Sequence, residues 1–218
     1  MVRMLLSTLF WLLATTACAA VDLQKLTQET QKISRKDGYL TLVWWMPQAT
    51  WDAMLTDNAM LSAEGRTKML ELLDHYMLFL ILRAQVGGTG AMESRPKAEM
   101  VSNARLEIDD KPVEAIPPEN LPPAAQAMFV GIKPVLASIL GKFGQGVEVM
   151  IYPSTQDAKR LIDPLKPGSF RYVLYDQAFT WRLPLASLLP VKVDAKTGTE
   201  FPGDYQFNPY TGDPLTTK

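Results

Sequence analysis

Catalysis needs side chains that can hold a proton, a nucleophile or a metal, and this chain offers few of them. His75 is the sole histidine. Any Ser–His–Asp hydrolase would have to use it, and no G-x-S-x-G elbow stands anywhere in the sequence. The neighbouring pattern puts His75 on the polar side of a helix, near the end where a cation suits the helix dipole, so a solvated surface residue is expected. Zinc catalysis normally draws on two or three histidines. Gly87-Gly88-Thr89-Gly90 follows an apolar run, where a phosphate loop would sit. It lacks the lysine and hydroxyl residue that hold phosphates and magnesium, and Pro96 comes too soon for a clean following helix, so it reads as a loop. Asp109-Asp110 is most simply a turn, and Asp157, Asp163 and Asp176 occupy loop or turn positions. Two carboxylates could meet in space, as glycoside hydrolysis requires, but spacing alone does not show it. No catalytic residue, metal ligand or cofactor is therefore expected.

The most specific pattern is at the C-terminus, DAKTGTEFPGDYQFNPYTGDPL, from Asp194 to Leu215. It resembles a zinc ribbon, whose two knuckles have the form C-x-x-C-G and C-P-x-C-G. The glycines are present as Gly198 and Gly212 and the proline as Pro209, while all four ligand positions are changed, to Asp194, Thr197, Asn208 and Thr211. Zinc needs thiolate or imidazole at such a site, so the resemblance implies a metal-free β-hairpin. A hard cation on oxygen ligands is the lesser alternative, since these positions supply only one carboxylate. Without a metal, Phe201, Tyr205, Phe207 and Tyr210 are expected to stabilise the hairpin by packing on each other or on the main domain. The region ahead of it resembles uncharacterised exported bacterial proteins that end in such a ribbon, which brings no activity with it.

The N-terminus is equally legible. Arg3 is the only charge before Asp22, Met4–Ala14 is apolar apart from Ser7 and Thr8, and small residues run from Ala14 to Ala20. Positive start, short apolar stretch and small-residue zone make residues 1–20 a signal peptide. The run is too short to cross a bilayer, which takes roughly 20 apolar residues. Ala17-Cys18-Ala19 is an A-x-A cleavage site that would leave a chain starting at Ala20. Cys18, the only cysteine, could instead carry the lipid anchor of a bacterial lipoprotein, although Thr15 stands where such signals usually have leucine. Removal of the signal takes Arg3 and leaves 21 Lys+Arg against 23 Asp+Glu. That balance disfavours nucleic acid as a partner. No N-x-[ST] site occurs, and simple cleavage leaves no cysteine for a disulfide. A periplasmic location fits best, with an outer-membrane lipoprotein or a secreted protein as alternatives.

Several elements must carry these residues. Asp22 to Arg35 is polar and weakly helical. Gly38 opens a strand, YLTLVWWM, with Leu40, Leu42, Trp44 and Met46 on one face and Tyr39, Thr41, Val43 and Trp45 on the other; Pro47 ends it. A short helix is predicted over 49–55. Ser62 caps a helix over 63–76, followed by a buried strand over 77–86. A hairpin is predicted over 101–108 and 113–116. A second long helix carries Met128, Phe129, Ile132, Val135, Leu136, Ile139, Leu140 and Phe143 as one stripe, with a kink from Pro134. A strand over 147–152 and a hairpin over 169–175 and 179–183 complete the list. The fold class that follows is α+β: an antiparallel sheet with helices packed on one face (residues 21–190), plus a small C-terminal hairpin of zinc-ribbon type (191–218).

Trp44 and Trp45 are adjacent on a strand, so they point to opposite sides. Leu40 and Leu42 draw Trp44 inward. Trp45 is then either covered by a helix or exposed beside Trp51 as a protein- or glycan-binding surface. Export, the missing catalytic motifs and that surplus tryptophan lead to a non-catalytic envelope or periplasmic protein that acts through macromolecular contacts. The alternative is a periplasmic hydrolase using paired carboxylates in a cleft.

Overall fold

Every residue from Met77 to Leu82 is apolar, a pattern that a half-solvated strand cannot carry and that a strand covered on both faces requires. The computed structural model, which describes residues 21–56, 61–88 and 92–218, puts this segment at the centre of the molecule. In chain order the elements are α1 (Leu23–Thr30), β1 (Gln31–Lys36), β2 (Tyr39–Met46), α2 (Gln48–Thr56), α3 (Ala63–Asp74), β3 (Tyr76–Val86), β4 (Met92–Ser94), α4 (Lys97–Ser102), β5 (Ala104–Ile108) and β6 (Lys111–Val113). After these come α5 (Pro123–Ile139), β7 (Glu148–Pro153), β8 (Thr155–Gln156), β9 (Lys159–Arg160), β10 (Gly168–Leu174), β11 (Gln177–Leu183), β12 (Lys192–Val193), β13 (Glu200–Phe201) and β14 (Thr216–Thr217). The expected signal peptide, Cys18 included, and Thr89-Gly90 lie outside the described residues. No helix among the described residues is long and apolar enough to cross a membrane.

The fold is α+β and its sheets are antiparallel. The larger sheet runs β1-β2-β3, and the far edge of β3 is shared, with β7 along Tyr76–Ile81 and β4 along Ala84–Val86. A second sheet has the order β11-β10-β5-β6. Helices cover one face of the larger sheet, as the sequence predicts. Leu40, Leu42, Trp44, Met46, Leu78, Leu80 and Leu82 meet Leu73, Ile132 and Leu136 there, with Met69, Leu72, Phe129 and Leu140 partly buried around them. The other face is not left to solvent. Val43, Trp45, Phe79 and Ile81 pack against Leu106, Phe170, Tyr172 and Trp181 of the second sheet, which makes three layers.

The contact between the sheets is mostly aromatic. Phe79 has Tyr172 at 4.8 Å and Tyr152 at 5.7 Å between ring centroids, and Phe170 stacks on Trp181 at 5.0 Å. Such pairs each add about 0.5–1.5 kcal/mol beyond their buried area. The polar tips are accounted for. The Tyr152 and Tyr172 hydroxyls bond each other at 3.1 Å, and burial pushes the Tyr152 phenol up to about 12 and Tyr172 well above its ordinary value. Buried Thr30 serves two tryptophans at once. Its hydroxyl accepts from Trp44 Nε1 at 3.2 Å and its carbonyl from Trp181 Nε1 at 3.0 Å, joining the larger sheet to the second one.

A second tie lies at the open end of the layers. The Arg83 guanidinium lies between the rings of Tyr39 (4.7 Å) and Tyr175 (4.4 Å), a pair of cation–π contacts. Asp176, in the β10–β11 turn, accepts from Lys36 at 2.7 Å and from Arg83 at 3.1 Å.

Several local expectations need correction. The segment expected to be weakly helical up to Arg35 is helical only through Thr30. It then becomes β1, because each of its residues pairs with a residue of β2. The hairpin expected from residue 101 starts at Ala104, after α4, with Asp109 and Asp110 both at positive φ in its turn. The α5 stripe is narrower than predicted: Leu136 is buried, whereas Val135 is 56% exposed and Ile139 also faces out. Truncating Leu136 to Ala should therefore cost about 2–5 kcal/mol in denaturant unfolding, while Val135→Ala should stay within roughly 0.5 kcal/mol. Equal costs would mean the helix is rotated.

Asp176 gives a pH-dependent prediction. Its carboxyl is held down to about 2, first by the Lys36 hydrogen bond and then by Arg83. A depressed acid stabilises the fold above its unfolded value of 3.8 and loses that contribution as pH falls through the folded value. Asp176→Asn should be less stable than the parent at neutral pH, and the gap should close between pH 3.8 and about 2. A gap unchanged in acid would refute the pairing.

Candidate functional site

Two regions can meet another molecule: a cleft at the end of the central sheet and the C-terminal module. The cleft, about 600 Å³, opens where β2 ends at Pro47 and the 160–165 segment crosses it. Its apolar lining includes Trp45, Leu73, Met77 and Ile162, and its charged lining includes Asp52, Asp74, Asp163 and Arg160. A groove over Gln48, Thr67, Leu70 and Glu71 continues it to His75.

Each cleft aspartate already has a cation. Asp52 pairs with Arg66 at 2.6 Å, Asp74 with Arg160, and Asp163 with Lys166 at 2.8 Å. The Lys166 hydrogen bond, with the Leu165 amide second, pulls the Asp163 carboxyl below its usual range. A glycosidase acid must be pushed the other way, so that it keeps its proton near neutral pH. Sequence had marked Asp163 only as a loop residue; Asp52, Asp74 and Arg160 carried no signal, since folding alone brings them together.

Trp45 and Trp51, expected as candidates for an exposed partner surface, are only 2% and 4% exposed. Trp45 meets Phe170 edge-on at 4.9 Å, so its cover is a second sheet rather than a helix. Trp51, on α2, is buried in the core on the helical side of the larger sheet. Neither can form a flat aromatic patch. His75 is exposed at the end of α3, as expected, with its ring 6.4 Å from that of Tyr76.

The C-terminal module is a small sheet of order β13-β12-β14. Residues 194–199 and 208–213 form two turns with the same hydrogen bonds. Gly198 N donates to Asp194 O and Gly212 N to Asn208 O, both at 2.8 Å. Asp194 N donates to Thr199 O at 3.0 Å and Asn208 N to Asp213 O at 2.8 Å. Thr197 Oγ1 accepts from Thr199 N at 3.2 Å, and Thr211 Oγ1 from Asp213 N at 3.3 Å. Gly198 and Gly212 have φ of +72° and +76°, which favours glycine. The turns meet through buried Asp194 and Asn208, whose side chains hydrogen-bond at 2.5 Å. No group of three or more His, Cys, Asp or Glu placed to hold a metal occurs among the described residues.

The expected packing of the aromatics on each other centres on Phe201. That ring is buried, with Tyr205 at 6.4 Å and Tyr210 at 6.5 Å. Tyr210 is 88% exposed, Phe207 60%, and Tyr205 also reaches solvent. No family model, no curated protein and no solved structure matches the chain. The fold and site thus define a class, a three-layer α+β domain with a small C-terminal β module, and no particular family. Replacing His75 by Gln should change unfolding free energy by less than roughly 0.5 kcal/mol. A larger loss would give the ring a structural role that its exposure does not suggest.

Proposed function

We propose that this is an exported, non-catalytic protein of the bacterial envelope, residing in the periplasm or tethered through Cys18, which acts by contact with another macromolecule. The observation that carries the reading is the exposure of Tyr210, Phe207 and Tyr205 on one small module, whose two turns are joined by buried Asp194 and Asn208. Exposed aromatics are costly to keep in water, and aromatic anchors dominate contact energies between macromolecules. Export rests on the charge, apolar and small-residue order of residues 1–20. The hydrolase alternative draws its support from the aspartates around the cleft, and their committed cation partners weigh against it.

The test is capture of partners from a solubilised envelope fraction by the tagged protein and by a Phe207→Ser/Tyr210→Ser double variant. Loss of two anchor side chains should weaken capture by roughly tenfold or more, with the unfolding midpoint unchanged. Equal capture by both forms would remove the module as the contact surface.

A further inference from the structure

We propose that the hydrogen bond between Asp194 and Asn208 stands in the place of a structural metal ion, as the buried cross-link between the two C-terminal turns. This rests on the ribbon resemblance of residues 194–215 and is independent of which surface contacts a partner.

A structural zinc in so small a module joins two loops that cannot bury enough apolar surface to stay closed alone. The same task falls here on two buried polar side chains, one from the first position of each turn. Asp194 Oδ1 accepts from the amides of Lys196 at 2.8 Å and Thr197 at 3.1 Å, and Oδ2 accepts from Asn208 Nδ2 at 2.5 Å. Asn208 Oδ1 in turn accepts from Tyr210 N at 2.9 Å. Each side chain therefore folds its own turn and also reaches across to the other. A carboxylate facing a carboxamide is a one-way fit: the acid only accepts, and the amide supplies the donor. Burial of both groups raises the cost of removing either partner, because the one left behind loses its partner without gaining water. The threonines at the second position of each turn do not cross. Thr197 bonds Thr199 and Thr211 bonds Asp213, so the buried join is one bond, with the exposed Lys196–Asp213 ion pair crossing outside it.

Asp194 itself is held below the usual carboxylate range, first by the Asn208 hydrogen bond and then by the Lys196 and Thr197 amides. The charged groups facing it are Lys196 and Asp213, which pair with each other at 2.8 Å. Replacing Asn208 by Asp keeps the shape but sets two carboxylates against each other. They cannot both ionise at that distance, so the closed module would require one shared proton.

The test is hydrogen exchange on the full chain, reading the amides of Lys196, Gly198, Tyr210 and Gly212 separately from those of β3. At pH 7, Asn208→Asp should exchange roughly tenfold faster or more at these amides while β3 keeps its protection. As the pH is lowered until one of the two carboxyls takes a proton, the protection relative to the parent should return. Unchanged protection at pH 7 overturns the proposal, and so does a loss that acid does not reverse, because a merely steric role would not respond to pH. The metal's place is tested by Asp194→Cys, Thr197→Cys, Asn208→Cys and Thr211→Cys together, under reducing conditions. One equivalent of tetrahedral zinc, read as the thiolate spectrum of a cobalt substitute, supports it. A folded fourfold variant that takes no metal overturns it, and if that variant does not fold, the acid reversal of Asn208→Asp decides alone.

Discussion

The fold depends on one demand: β2 and β3 must be covered on both faces. Their side chains alternate in direction, and both sets are large and apolar, so neither face can be given to water. Trp44 and Trp45 express this most directly. The first points toward the helices and the second toward the second sheet, and both are buried. Everything else is arranged to supply cover. α3 and α5 lie over one side, and β5, β10 and β11 bring an aromatic layer to the other. Thr30 answers an indole N–H from the larger sheet and another from the second sheet, so that covering both faces strands neither polar tip.

The same demand explains what could be read from the sequence and what could not. The β10–β11 hairpin was legible because apolar residues alternate along both runs, whereas its register, Phe170 on Trp181 and Tyr172 on Phe179, comes from the fold. The two faces of β2 were legible for the same reason. The second sheet as cover was not, since alternation says which residues share a face but not what packs on it. β1 was missed because an exposed edge strand such as QKISRK carries no apolar face; only its pairing with β2 makes it a strand. In α5 the predicted stripe was too wide, because an apolar residue at helical spacing is not bound to be inside. The cleft was illegible for another reason. Asp52, Asp74 and Arg160 come from distant parts of the chain, and nothing local marks them.

The C-terminal module follows a different logic from the domain it extends. Its two turns are joined by buried polar groups that satisfy one another, while Phe207 and Tyr210 reach solvent and Tyr205 stacks on buried Phe201. In the cleft, by contrast, the charged groups are already neutralised in pairs around an apolar floor. Ion pairs of this exposed kind contribute little to stability. Their effect on chemistry shows at Asp163, whose carboxyl the Lys166 hydrogen bond pulls below its usual range.

Cover on both faces should make β3 the most protected element of the molecule. Native-state hydrogen exchange across a denaturant series measures this directly. The amides of Phe79, Leu80 and Ile81 should exchange only through global unfolding, with the full denaturant dependence of the whole domain, while the β10–β11 hairpin opens at a lower or equal free energy. If the β3 amides instead exchanged through a local opening cheaper than that of the second sheet, the strand would not be the covered centre that this structure requires.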